Sequence, residues 1–263
     1  MKVKISHEVP LQLLEDSKQF NNYDYCLPHL LDQYPEYEAY FRQAKKEGRY
    51  VIMDNSLHEL GEAYDTSRLL YWISELEPNE FIVPDVWENG AYSVRNARTW
   101  ANVEMPENTT KVAVVQGKTY SDFVNGYQSY KWFGYQKIAF SYGASWFEET
   151  FQHPNSYIAK MMGRLKTITN LYKNKVISDF DRVHLLGCNL PQEYLYYKDF
   201  KFIESIDTSN PVIHGLEGIR YSEGGLLQKS KQKIDKDFTQ KVTQKQKENI
   251  LYNVEMFRKI NNL

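Results

Sequence analysis

Residues 201–215 read KFIESIDTSNPVIHG, and the reading of this stretch decides the fold. Phe202, Ile203 and Ile206 predict a short strand. Asp207, Thr208 and Ser209 stand at its end, and Asn210-Pro211 is expected to turn the chain. A carboxylate placed just past an apolar strand sits where barrel enzymes keep their chemistry. Alone, the stretch reads equally well as a surface turn, because Asp, Ser, Asn and Pro all favour turns. Repetition is what lifts Asp207 out of that reading.

The same pattern, an apolar run closed by polar residues, recurs along the chain. A first run through Val3 and Ile5 ends near His7 and Glu8, and residues 23–27 end at Cys26, Pro28 and His29. Residues 50–53 lead into Asp54-Asn55-Ser56, residues 81–83 into Pro84-Asp85, and residues 111–115 into Gln116-Gly117. Residues 137–140 lead into Ser141-Tyr142-Gly143, and residues 182–186 into Gly187-Cys188-Asn189. Helical patterns fall between them, over residues 11–20, 35–47, 120–133 and 191–200 and around Met161, Met162 and Leu165. Asp65-Thr66-Ser67 is expected to cap another through Leu76, and a further helix carries Arg95 and Arg98. Eight strands, each followed by a helix, predict an α/β fold, a (β/α)8 TIM barrel, as a single domain over residues 1–263. An open parallel α/β sheet is the rival. A basic C-terminal helix over about 228–263 is expected to pack through Phe238, Val242, Ile250, Val254 and Phe257, with its lysines facing solvent.

Composition narrows the function classes. A formal charge of −2 leaves no global basic field that demands a polyanion. Two cysteines, Cys26 and Cys188, make neither a disulfide framework nor a thiolate zinc cluster, and fit a reduced, cytoplasmic setting. The opening MKVKISHEVP lacks the apolar run of a signal peptide, and no stretch reaches the roughly 20 apolar residues that span a bilayer. No membrane partner is therefore expected. Phosphate-loop motifs are missing, and Gly224-Gly225 says little.

In a barrel every strand ends on one rim, so residues distant in sequence become neighbours there. Asp54, Asp85 and Asp207 are the carboxylates of that rim, with Asn55, Gln116, Gly117, Ser141, Tyr142 and Gly143 around them. Several carboxylates suit acid–base or covalent glycosyl chemistry, since one can attack while another manages protons. They suit a metal equally, with His7 and His29 as further ligands, but no compact ligand motif is present, so no metal and no other cofactor is assigned. Cys188 as a nucleophile is the weaker choice beside a packing role. His184, inside a strand, reads as structural, and His153 before Pro154 as a loop residue.

Four segments resemble the tRNA-guanine transglycosylase superfamily, the base-exchanging barrels of queuosine and archaeosine biosynthesis. YVIMDNS at residues 50–56 resembles the family strand whose aspartate handles protons and positions the base. FIVPD at 81–85 resembles the strand whose aspartate recognises the purine edge, and VVQG at 114–117 the segment whose glutamine and glycine contact the base. Ile206-Asp207, after GCNLPQEYL, resembles the region of the nucleophilic aspartate. Asn55-Ser56-Leu57-His58-Glu59 stands where the family has Ser-Gly-Gly-Phe-Gln, Ser141-Tyr142-Gly143 replaces its glycine pair, and its zinc-binding cysteine cluster is missing. The pattern suits a minimal member of the phage or mobile-element kind.

The resemblance implies purine base exchange at an N-glycosidic bond of a guanine nucleotide in nucleic acid, tRNA or DNA, with a 7-deazaguanine as one incoming base. Asp207 would attack the sugar and Asp54 would move protons. Asp85, Gln116 and Gly117 would hold the base edge, and Tyr142, Tyr25 or Trp87 would stack on it. Lys229, Lys231, Lys233 and Lys236 would guide the polyanion, or simply form a solvated face. Two alternatives stay open: a metal-dependent barrel hydrolase or nucleoside glycosidase, and a non-catalytic barrel that binds nucleic acid or protein.

Overall fold

A computed structural model describes residues 3–230, 233–234 and 238–263. Eight short runs form parallel strands: β1 (Lys4–Ser6), β2 (Asp24–Cys26), β3 (Val51–Met53), β4 (Glu80–Ile82), β5 (Thr110–Val115), β6 (Lys137–Phe140), β7 (Arg182–Leu185) and β8 (Ile203–Asp207). Their order is β1-β8-β7-β6-β5-β4-β3-β2, every pairing parallel. The ring is nearly closed. Between β1 and β2 two asparagines supply what a ladder would. Asn22 exchanges hydrogen bonds with the Ile5 backbone, its N–H donating at 2.9 Å and its Oδ1 accepting at 3.2 Å. Asn21 serves His7 through its side-chain amide, Oδ1 accepting from the His7 N–H at 2.7 Å and Nδ2 donating to the His7 carbonyl at 3.0 Å. The protein is a (β/α)8 barrel.

Helices alternate with the strands as the periodicity predicts. After β1 come a 3-10 turn (Leu11–Leu13) and α1 (Leu14–Ser17), after β2 α2 (Pro28–Gln33) and α3 (Pro35–Lys46), and after β3 α4 (Leu57–Leu60) and α5 (Thr66–Leu76). Then follow α6 (Gly90–Ala101), α7 (Tyr120–Trp132), α8 (Ser145–Thr150) and α9 (Ser156–Lys173), each in its loop between strands. Asp65 caps α5 by accepting from the Arg68 N–H at 2.9 Å. The stretch 191–200 forms only a 3-10 turn, Glu193–Tyr197.

Two expectations near the C-terminus are corrected. Asn210-Pro211 does not turn the chain away but opens α10 (Asn210–Leu216), because proline suits the first helical turn as well as a β-turn. The helix expected over 228–263 is α11 (Gln244–Ile260) alone. Its capping box at Thr243 and Gln246 fixes the start, and the described residues ahead of it are non-helical. Ile250, Val254 and Phe257 are buried as expected, and Gly215 of α10 lets the Ile250 backbone approach too closely for any Cβ there. Lys231 and Lys236 lie outside the described residues.

Two apolar layers hold the frame. The larger lies between strands and helices; the smaller fills the barrel with Tyr23, Ile52, Ile82, Val112, Val114 and Ala139. Below that inner layer, at the N-terminal mouth, lies a charged plug. Lys137 and Glu80, both fully buried, pair at 2.6 Å, and Arg182 reaches Glu80 at 3.0 Å and Glu204 at 2.6 Å. Lys4 joins Glu204, and the Tyr50 hydroxyl donates to Glu80 at 2.6 Å. Above the layer, at the C-terminal mouth, the barrel opens.

Candidate active site

The C-terminal mouth holds a cavity of about 370 Å³. Asp54, Asp85 and Asp207, arriving from β3, β4 and β8, all line it. So do Asn55, Gln116, Ser141 and Tyr142. Gly117 and Gly143 stand behind the lining: Gly117 lies against Asp122 at the start of α7, and Gly143 against Trp87. Trp87 and Tyr25 line the cavity.

On one side two amides grip a carboxylate. Asp85 accepts from Asn55 Nδ2 at 2.6 Å on Oδ1 and from Gln116 Nε2 at 2.7 Å on Oδ2. The Glu88 N–H donates to Gln116 Oε1 at 3.1 Å, which orients that amide. Burial pushes the Asp85 carboxyl up to about 7 against the pull of both amide donors. Each oxygen keeps a second lone pair, so the group still presents an edge to a planar ligand.

Asp54 sits beside this pair. It accepts from the Tyr25 hydroxyl at 2.9 Å and from the Ser56 N–H at 2.9 Å. Ser56 has φ 58°, a left-handed backbone that a serine adopts at a cost, and the Asp54 bond holds it there. Burial raises the Asp54 carboxyl to about 6, with the charge of Asp207 adding to the push. Glu8, at the end of β1, is driven well above the usual carboxylate range by burial and then by the charges of Glu59 and Asp207.

Asp207 closes the ring from the far side. The Gly187 N–H reaches both of its oxygens at 3.1 Å, and His184 Nε2 lies 3.0 Å from Oδ1. The sequence marks His184 as structural and does not reveal this contact with Asp207. Parity carried the signal: alternate side chains of a barrel strand point inward, and His184 pairs in register with Ser205, two residues before Asp207. Arg164 of α9 was missed too. Fully buried and paired with Glu193 at 2.6 Å, it donates to the carbonyls of Phe140, Leu186 and Gly187 and so fixes the ends of β6 and β7.

The remaining histidines and cysteines do other work. His7 packs edge-on against Phe257, with Nδ1 3.1 Å from the Thr208 carbonyl, and burial lowers it to about 4. His29 Nδ1 meets Ser56 Oγ at 2.8 Å. Among the described residues no three His, Cys, Asp or Glu side chains are grouped to share a metal ion. Cys188 lines the cavity, but burial pushes its thiol up, away from the thiolate that attack would need.

Among the described residues three lysines complete the wall: Lys160, Lys229 and Lys233. Lys229 Nζ sits 3.3 Å over the Tyr142 ring and 3.5 Å from the Cys188 carbonyl, after β7. Lys233 Nζ donates to the His58 carbonyl, after β3. Both lysines thus line the mouth on non-helical backbone, where a solvated helix face was expected. Burial lowers the Lys229 ammonium to about 8.

The fold and this rim define the class: a (β/α)8 barrel with a carboxylate-lined cavity at the C-terminal ends of its strands. No family model and no curated protein matches the chain. Among the described residues no helix is long and apolar enough to cross a membrane.

Proposed function

We propose that the protein is a glycosyltransferase that exchanges a purine base at an N-glycosidic bond of a guanine nucleotide in nucleic acid. The observation that carries this reading is the convergence of Asp54, Asp85 and Asp207 on one cavity, with Asp85 held between the amides of Asn55 and Gln116. Asp207 attacks the sugar C1′ and displaces the base, giving a covalent aspartyl–sugar intermediate. Asp54, raised to about 6, is partly protonated near neutrality and gives the leaving base its proton. Asp85, Gln116 and Asn55 read the base edge, and an analogue that leaves these buried groups unmatched is rejected. Ser141, Tyr142, Gly117 and Gly143 shape the pocket around the base. The lysines of the wall take phosphates of tRNA or DNA, and a nucleotide inside a duplex is extruded before it reacts. A 7-deazaguanine fits the same edge-reading groups as the incoming base.

Labelled guanine and 7-deazaguanines, offered with bulk tRNA, duplex DNA and free guanosine, test this. Incorporation into one polymer, abolished by Asp207→Asn in a protein of unchanged melting temperature, is expected. Undiminished exchange by Asp207→Asn removes the nucleophile. Lys229 and Lys233, which line the mouth and crowd a polymer more than a free nucleoside, favour a second reading, a nucleoside glycosidase of the same chemistry. Turnover of free guanosine with no incorporation into either polymer would select it.

A further inference from the structure

We propose that His184 is a positioning residue that fixes Oδ1 of Asp207 and leaves Oδ2 as the attacking atom; this rests on the reading of Asp207 as nucleophile. His184 lies on β7 with its side chain inside the barrel and fully buried. Its two nitrogens are both engaged, Nδ1 with Ser205 Oγ at 2.8 Å and Nε2 with Asp207 Oδ1 at 3.0 Å. An ionised carboxylate can only accept, so Nε2 carries the proton of that bond. In the neutral ring Nδ1 then accepts from the Ser205 hydroxyl, which sets the tautomer. The Tyr25 ring lies nearly parallel to the imidazole, centroids 6.2 Å apart and planes at 14°, and limits its tilt. Tyr25 also holds Asp54 through its hydroxyl, so one side chain orients both the nucleophile's support and the proton carrier.

The hydrogen bonds on Asp207 are unequal. Among the described residues Oδ1 accepts from His184 and from Gly187, whereas Oδ2 shares only the Gly187 N–H. The lone pairs of Oδ2 are the less occupied, and Oδ2 forms the bond to C1′ as the bond from C1′ to the purine nitrogen breaks. The bonding pair leaves with the base, which takes the proton of Asp54. In the ester Oδ1 becomes the carbonyl oxygen and keeps its bond to His184. On return, the ring nitrogen of the incoming base attacks C1′ and gives its proton to Asp54. The C1′–Oδ2 pair goes back to the carboxylate, and His184 meets the returning charge with a donor already in place.

The test uses two substitutions in the full chain. Glutamine places an amide N–H near the position of Nε2; leucine removes the donor at similar bulk. With labelled guanine and whichever nucleic acid is turned over, His184→Leu is expected to lower kcat by about 10–100-fold with KM little changed. His184→Gln should recover most of that loss. Equal impairment of the two, or wild-type kcat in His184→Leu, overturns the proposal while leaving Asp207 as nucleophile, a role judged separately by Asp207→Asn. Nitrogen-15 spectra of the unliganded protein give a readout independent of turnover. A slowly exchanging Nε2–H of His184 is expected, shifted by Asp207→Asn and not by Lys137→Met at the far mouth. An Nδ1–H tautomer, or a signal indifferent to Asp207→Asn, overturns the proposal as well.

Discussion

The two mouths of the barrel treat buried charge in opposite ways. At the N-terminal mouth each carboxylate has a cation: Glu80 has Lys137 and Arg182, and Glu204 has Arg182 and Lys4. Glu204 is held down to about 2 by those cations, against the opposing effect of burial. At the C-terminal mouth Asp54 and Asp85 are hydrogen-bonded by a phenol and by amides, and burial lifts Asp54 to about 6 and Asp85 to about 7. One end spends its charges on holding strands together. The other keeps carboxylates in protonation states that ordinary surface acids do not have, which is what proton transfer near neutrality needs.

The sharpest way to break this contrast is to damage one mouth and measure both. Asp207→Asn is expected to lower exchange by about 10³-fold or more while changing the melting temperature little. Lys137→Met should do the reverse. It leaves Glu80 buried and short of a partner, so unfolding in urea should show a loss of about 3–5 kcal/mol, with turnover per folded molecule retained. If Lys137→Met abolished turnover in folded protein, the separation of roles would fail.

Titration sharpens the comparison further. A carboxyl raised from 3.8 to about 6 stabilises the folded chain below the lower value, and the contribution is lost as pH rises through the higher one. The stability of Asp54→Asn relative to wild type should therefore improve between pH 4 and 7, by at most on the order of 3 kcal/mol, and then level off. His7 and His58, both lowered to about 4, act in the opposite direction over much of this range. They titrate in both proteins and cancel in the difference. A difference independent of pH would mean that Asp54 is an ordinary carboxylate. For Glu204 the sign reverses, since its contribution is present above 4.5 and fades as pH falls through about 2.

The smallest effect belongs to the wall of lysines. Lys229→Gln should weaken nucleic-acid binding by about 3–10-fold at low salt and reduce the salt slope by about one. Unchanged binding with an unchanged slope would leave Lys229 as a packing group on Tyr142.

The strands and the three rim aspartates were legible because a short, buried parallel strand reads as an unbroken apolar run, and a polar residue closing it marks the rim. Residues whose role depends on which way a strand side chain points were not. His184 sits mid-strand, where only parity separates barrel interior from helix layer, and Glu80, Lys137 and Arg182 look like ordinary strand beginnings until the barrel brings them together. Arg164 lies more than two turns into α9, far from any strand end in sequence. The places of Lys229 and Lys233 were hidden for another reason: a charge run carries no periodicity that says whether it winds as a helix or lines a cavity.

The most direct measurement is mass spectrometry of the protein quenched during turnover of a guanine-containing nucleic acid. A sugar-linked adduct on the peptide carrying Asp207, absent from Asp207→Asn, is the expected result. Exchange that proceeds with no adduct, or with an adduct on another residue, would contradict the assignment of the C-terminal mouth as a covalent glycosyl-transfer site.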